Sequence, residues 1–178
     1  MEFEKLAIPE VILVKPSILQ DPRGSFLESY HQKKFQVGGI TTGFCQINQS
    51  SSAQGVLRGL HYQVEPHAQA KLVQVLAGQV FDVAVDLRPA SPTYKKWVAA
   101  FLSAENKHQL FIPTGFAHGF YVLSAEAVLQ YQCSAHYNKE ADRVIRWDDQ
   151  AFKIVWPLIE GQEIRLSEKD KTAGFWDK

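Results

Sequence analysis

Residues 71–88, KLVQVLAGQVFDVAVDLR, read as two β-strands joined at Ala77-Gly78, and the same grammar recurs along the chain. Short runs rich in Val, Ile, Phe and Tyr alternate with Gly, Pro, Asn and Asp. They include VILVKPSIL (11–19), SFLESYH (25–31), FCQINQS (44–50), GVLRGLHYQ (55–63), WVAAFL (97–102), QLFIPTGFAHGFYVLS (109–124), AVLQYQCSAHY (127–137) and RVIRW (143–147). Many short strands with few long helical patterns between them indicate an all-β sandwich or barrel. An antiparallel sandwich or jelly roll is expected, since it leaves few strand edges open. Helix is expected only in short pieces, around HQKKFQV (31–37) and in the last dozen residues. With 178 residues and no repeat or linker, the chain is expected to form one domain over 1–178.

Register arguments carry the reading further. If 71–88 is a hairpin, Val75 stands opposite Val80, Val73 opposite Asp82 and Lys71 opposite Ala84. Lys71 and Asp82 then share a face with Val73 and Val75, while Leu72, Leu76, Phe81, Val83 and Val85 occupy the other. A Lys and an Asp on a mostly apolar face suggest the lining of a cavity. A second hairpin with its loop at 124–127 would pair Phe120 with Tyr131 and set His118 beside Tyr131. In GVLRGLHYQ, Arg58 and His61 have opposite parity in an unbroken strand. Both enter one cavity only if the strand bulges, and Gly59 is the residue placed to allow it.

Composition excludes several classes. Lys plus Arg and Asp plus Glu number 19 each, so the formal net charge is zero, which argues against nucleic-acid or membrane-surface binding. No apolar run reaches the ~20 residues that span a bilayer, and MEFEKLAIPE lacks a signal-like apolar core. The two cysteines, Cys45 and Cys133, form no disulfide framework, so a cytoplasmic setting is expected.

The chemistry-bearing residues narrow the activity. Gly55 and His61 fit the start of a metal-binding Gly-x₅-His-x-His pattern, but Gln63 stands at the second His, and a neutral amide is a poor ligand for a transition metal. Neither a Gly-x-Ser-x-Gly elbow nor a phosphate-cradling glycine loop occurs. His, Tyr, Lys, Arg and Asp remain, a set suited to moving protons at a carbon beside a carbonyl. Taken singly, each of these residues also has a structural explanation.

Together, DPRGSFLESYH (21–31), QINQS (46–50), LRGLHYQ (57–63), QAKLVQVLAGQVFDVAVDLR (69–88), SPTY (91–94), FIPTGFAHGF (111–120), YQCSAHY (131–137), IRWDD (145–149) and LSEKD (166–170) resemble the dTDP-4-dehydrorhamnose 3,5-epimerases. The resemblance implies a cupin-like jelly roll that inverts C3 and C5 of a dTDP-linked 4-keto-6-deoxyhexose without metal or other cofactor. It assigns His61 as proton acceptor, Tyr131 as donor, Asp170 as the residue orienting His61, and Lys71 as stabiliser of the enolate. Asp82 is expected to hold the Lys71 ammonium, and His118 to line the site. Nucleotide contacts would fall on Arg23, Glu28, Gln46, Asn48, Arg58 and Lys169. Asp142 stands where a Glu is usual, Val144 and Lys95 where Gly is usual. A homodimer is implied, with VILVKPSIL as an exposed strand for the interface. The rival readings are a relative inverting one carbon only, a metal-dependent cupin enzyme, and a non-catalytic sugar-binding cupin domain.

Overall fold

The computed structural model describes residues 1–176; positions 177 and 178 lie outside the described residues. Two antiparallel sheets pack face to face. In the first, strands β1 (Glu2–Lys5), β2 (Ile12–Lys15), β5 (Gln46–Ala53), β7 (Lys71–Ala77), β10 (Gln109–Ile112) and β12 (Glu126–Cys133) lie in the order β1-β2-β10-β7-β12-β5. The second holds β6 (Leu57–Gln63), β8 (Gln79–Asp86), β9 (Trp97–Ser103), β11 (Phe116–Val122) and β13 (Asp142–Val144) in the order β13-β6-β11-β8-β9. A separate two-stranded ribbon pairs β3 (Ile18–Asp21) with β4 (Gly24–Leu27). Among the described residues helix is confined to α1 (Gln32–Val37) and α2 (Glu168–Lys171), where short pieces were expected.

Alternation along the strands explains the layers. Val73 and Val75 of the first sheet meet Val80, Ala84, Phe116, Phe120 and Val122 of the second in the central core. Each such buried aliphatic side chain contributes about 1.5–3 kcal/mol through area removed from water. The opposite parity of the first sheet, Ile12, Val14, Leu72 and Phe111, is covered by Phe35 of α1 and by Ile40. The outer face of the second sheet carries Leu57, Leu60, Phe81, Val83 and Val85. It is covered by the C-terminal segment through Ile145, Phe152 and Trp156. That segment carries α2 back towards β6.

Both expected hairpins are corrected. β7 pairs with β10 and β12, whereas β8 pairs with β9 and β11. The chain passes from one sheet to the other at Gly78, whose φ is +75° and where a Cβ would lie 1.9 Å from the Glu126 carbonyl oxygen. Likewise β11 and β12 belong to different sheets. The facing argument survives, because residues of the inward parity still converge, now across the sandwich. VILVKPSIL is corrected too. Its first half is β2, inside the sheet with Val11, Ile12 and Val14 buried, and only its end, Ser17, Ile18 and Leu19, is exposed.

Candidate active site

The bulge in β6 builds the floor of the site. His118 of β11 pairs with His61 and Phe120 with Arg58, so between those pairs Gly119 alone on β11 opposes both Gly59 and Leu60 on β6. Leu57 and Leu60 consequently point outwards, while Arg58 and His61 both line one cavity. Gly59, with φ +119°, is required there, since a Cβ would sit 2.7 Å from both Gly119 Cα and the His118 carbonyl oxygen.

From the facing sheet, register sets three rows on the inward face. Lys71, Cys133 and Gln46 form one, Val73, Tyr131 and Asn48 the next, and Val75, Leu129 and Ser50 the third. Two adjoining cavities of about 160 and 130 Å³ result, and His61, Lys71 and Tyr131 line both. Ser50, Arg58, His118 and Phe120 close the inner one, while Gln46, Asn48, Asp142 and Lys169 stand around the outer. His61 and Tyr131 therefore approach the same space from opposite sheets.

Each polar group has a defined environment. His61 Nε2 lies 2.6 Å from Oδ1 of Asp170, which leaves Nδ1 as the nitrogen without a side-chain partner among the described residues. Burial works against the Asp170 carboxylate. Hydrogen bonds from His61, from Ser167 and from the Gly59 backbone N–H outweigh it and hold its pKa below the ordinary value. Burial pushes the Tyr131 phenol up, with Cys133 adding to the rise and Asn48 and Arg58 opposing it, so the phenol keeps its proton at neutral pH. Burial pushes the Lys71 ammonium down, against Cys133, Asp82 and Asp142. The Lys71 Nζ stands 6.0 Å from the centre of the Tyr131 ring. Arg58 is braced by Ser52, whose Oγ accepts from Nε at 3.1 Å and from Nη2 at 3.0 Å.

Asp82 does not hold Lys71. It binds His118, with Nε2 at 2.9 and 3.0 Å from its two oxygens, and no Lys71–Asp82 ion pair forms among the described residues. Asp82, opposite Phe120, and His118, opposite Ala84, are diagonal neighbours on the inward face of one sheet, whereas Lys71 stands on the other. Burial drives the His118 imidazole down despite Asp82, so it is a neutral donor beneath the cavity. Asp142 keeps a place at the mouth, bonded to the Lys169 ammonium and accepting from the Tyr137 hydroxyl at 3.0 Å.

Arg23 and Glu28 are not brought to this cavity. Arg23 lies at the tip of the β3–β4 ribbon, 90% exposed and paired with Asp21, while Glu28 binds Lys34. A larger hollow of about 440 Å³ runs along that ribbon beside Leu19, Arg23 and Phe26, but it holds no His, Tyr or Lys able to act on a ring. Sequence reasoning missed Ser50 and Ser52, although both continue the alternation of Gln46 and Asn48 along one strand face. It also missed Tyr137. Among the described residues no three His, Cys, Asp or Glu side chains gather as metal ligands, and no helix is long and apolar enough to cross a membrane.

Residues 5–178 match the family described as dTDP-4-dehydrorhamnose 3,5-epimerase. The chain belongs to that family. It is 52% identical to the epimerase of Shigella flexneri over 171 residues, 96% of this chain and 93% of the relative. The epimerase of Pseudomonas aeruginosa is also 52% identical, over 172 residues, with 96% and 93% covered. Among solved structures, the Legionella pneumophila enzyme, described in complex with dTDP-4-keto-L-rhamnose, superposes with a TM-score of 0.93 at 48% identity, covering 98% of this chain and 92% of that one. The jelly roll and its cavity are thus those of an epimerase family.

Proposed function

We propose that this protein inverts C3 and C5 of dTDP-4-dehydro-6-deoxyglucose, giving dTDP-4-dehydro-L-rhamnose. The observation that carries the reading is the placement of His61 and Tyr131 on opposite sheets, facing one cavity with Lys71 beside them. Neutral His61 takes the proton from the carbon next to the ketone through Nδ1. The electron pair moves into the C4 carbonyl, and the Lys71 ammonium holds the enolate oxygen, worth about 3 kcal/mol for one well-placed donor. Tyr131 then delivers its phenolic proton to the opposite face of the same carbon, which completes the inversion; solvent restores both groups. Asp170 keeps Nε2–H engaged and stabilises the imidazolium. Gln46, Asn48, Arg58 and Lys169 meet the nucleotide, the Arg58 fork suiting its phosphate oxygens.

The protein acts as a homodimer in this reading. If Arg23 and Glu28 contact the nucleotide, they do so at the cavity of a second copy, because the ribbon stands away from this chain's own site. Incubation of the 4-keto sugar nucleotide in deuterated water, followed by NMR, tests the chemistry. Deuterium at both C3 and C5 with inverted configuration supports the proposal. Label at one carbon alone assigns a single-centre epimerase, and no label refutes proton transfer altogether.

A further inference from the structure

The Asp170 carboxylate is 2% exposed, and every donor that reaches it is identifiable. Oδ1 takes the hydrogen bond of His61 Nε2 at 2.6 Å. Oδ2 takes the hydrogen bond of the Ser167 hydroxyl at 2.7 Å, and the Gly59 backbone N–H adds a third donor. Ser167 is itself constrained, because its Oγ accepts the Asp170 backbone N–H at 3.1 Å as the N-cap of α2. With that acceptor role filled, the hydroxyl proton is aimed at Oδ2 and at nothing else.

The segment bearing Ser167 is tied directly to the strand bearing His61. Leu57 N–H donates to the Arg165 carbonyl at 3.0 Å, and Arg165 N–H donates to the Gly55 carbonyl at 2.9 Å. Val56 and Arg165 form a parallel bridge. Two residues after that bridge comes Ser167, and three more bring Asp170. On its far side α2 is fastened by Lys169 to Asp142 of β13, which pairs with β6 as well. The helix is one turn long and has no stability of its own, so these ties and the cap fix where the carboxylate stands.

We infer that Ser167 is a positioning residue for the epimerisation: its hydroxyl locks the Asp170 carboxylate so that one oxygen faces His61 Nε2. The inference rests on the proposed role of His61 as base. A carboxylate held at one oxygen only can rotate about its Cβ–Cγ bond, and a misaligned imidazole loses much of its rate through orientation alone. Holding both oxygens on separate donors removes that freedom. Donation to Oδ2 also makes the carboxylate less basic, so the shared proton stays on His61. Ser167 touches no reacting atom; it acts through Asp170 and then His61.

Steady-state turnover of four variants tests this. Ser167→Ala is expected to lower kcat about 10–100-fold with KM changed less than about twofold, as for second groups that orient a functional imidazole. Ser167→Thr, which keeps hydroxyl and cap, is expected to restore turnover to within about threefold. Ser167→Gly removes the donor at little cost to the cap, so it is expected to melt within a few degrees of the wild type yet lose turnover as the alanine variant does. In an Asp170→Asn background, Ser167→Ala is expected to cost nothing further, since the residue it positions is already disabled. Full turnover in Ser167→Gly, or an undiminished loss in the Asp170→Asn background, would overturn the inference. If Ser167→Ala does not fold, the glycine and threonine variants decide it. Absence of deuterium incorporation in the wild type would refute the role of His61 itself, an outcome distinct from any of these.

Discussion

His61 Nε2 and Asp170 Oδ1 are 2.6 Å apart although 109 positions separate them in the chain. The contact joins a bulged strand of one sheet to a one-turn helix at the end of a segment wrapped over that sheet. It fixes which ring nitrogen is free to act. Asp170→Asn is therefore expected to cut kcat by about 10³–10⁴ while KM stays near its wild-type value. The pH dependence has a definite sign. The folded pKa of Asp170 lies below its unfolded value of 3.8. Its contribution to stability is thus complete above that value and is lost as pH falls through the lower, folded one. Thermal melts in that acid range should show a shallower fall in Tm for Asp170→Asn than for the wild type.

Tyr131 answers His61 from the other sheet, and its removal should separate the two halves of the reaction. In Tyr131→Phe the base remains, so abstraction and return from the same face continue. Deuterium is expected to enter the substrate with configuration retained, while inversion falls at least about 10²-fold. NMR of the recovered sugar nucleotide checks both. Inversion at the wild-type rate would mean that the phenol is not the donor.

Lys71 is expected to oppose stability while serving turnover. Its folded pKa is lowered by burial, so the unfolded chain binds the proton more readily. The penalty is full below the folded pKa and fades as pH rises through it towards 10.5. Lys71→Met should melt higher than the wild type at pH 7, with the gap narrowing in alkali. Its turnover should fall about 10²–10³-fold for want of the enolate's partner. Calorimetry across pH beside a rate assay checks the trade.

Much of this site was legible before any coordinates. Alternation in 71–88 put Lys71 and Asp82 on one face that suggested a cavity lining, and the opposed parity of Arg58 and His61 asked for a bulge at Gly59 if both serve one site. Pairing was not legible, because Ala77-Gly78 suits a tight turn and a crossing between sheets equally well. What separates the two is the Glu126 carbonyl packed against Gly78, a contact made by residues some fifty positions away. The partner of Asp82 was misread for the same reason: the hairpin put Lys71 beside it, and the true neighbour strand supplies His118. Asp170 came from family resemblance, since a Ser-x-x-Asp turn near a chain end carries no local mark of the strand it will meet.

Lys95 offers a test of the backbone. It has φ +64°, in the left-handed region that favours glycine. Its ammonium lies 5.2 Å from the Tyr94 ring centre, and its N–H donates to the carbonyl of the buried Asp86, so one side-chain and one backbone contact hold the turn. Lys95→Gly removes the Cβ penalty and should raise stability by about 1 kcal/mol with turnover unchanged. Urea denaturation measures it, and a loss of stability would assign more value to the Tyr94 contact than to the strain.

The ribbon poses the final question, because it holds Arg23 away from the cavity whose nucleotide it is expected to meet. Phe26 is 69% and Leu19 65% exposed, an apolar surface on a two-stranded element that pairs with neither sheet. Arg23 projects beside them at 90% exposure. A second copy that received this ribbon would cover the apolar side chains and gain a guanidinium for its nucleotide. Arg23→Ala should then raise KM about tenfold with kcat little changed, and His61→Ala should be inactive. Mixed and re-equilibrated, the two are expected to recover activity at low substrate. In a mixed dimer one cavity has His61 from the first variant and Arg23 from the second, and is whole. Recovery that follows subunit exchange supports the crossing ribbon. No recovery despite dimers shown by light scattering, or a monomer of full activity, would leave Arg23 without a role at the site.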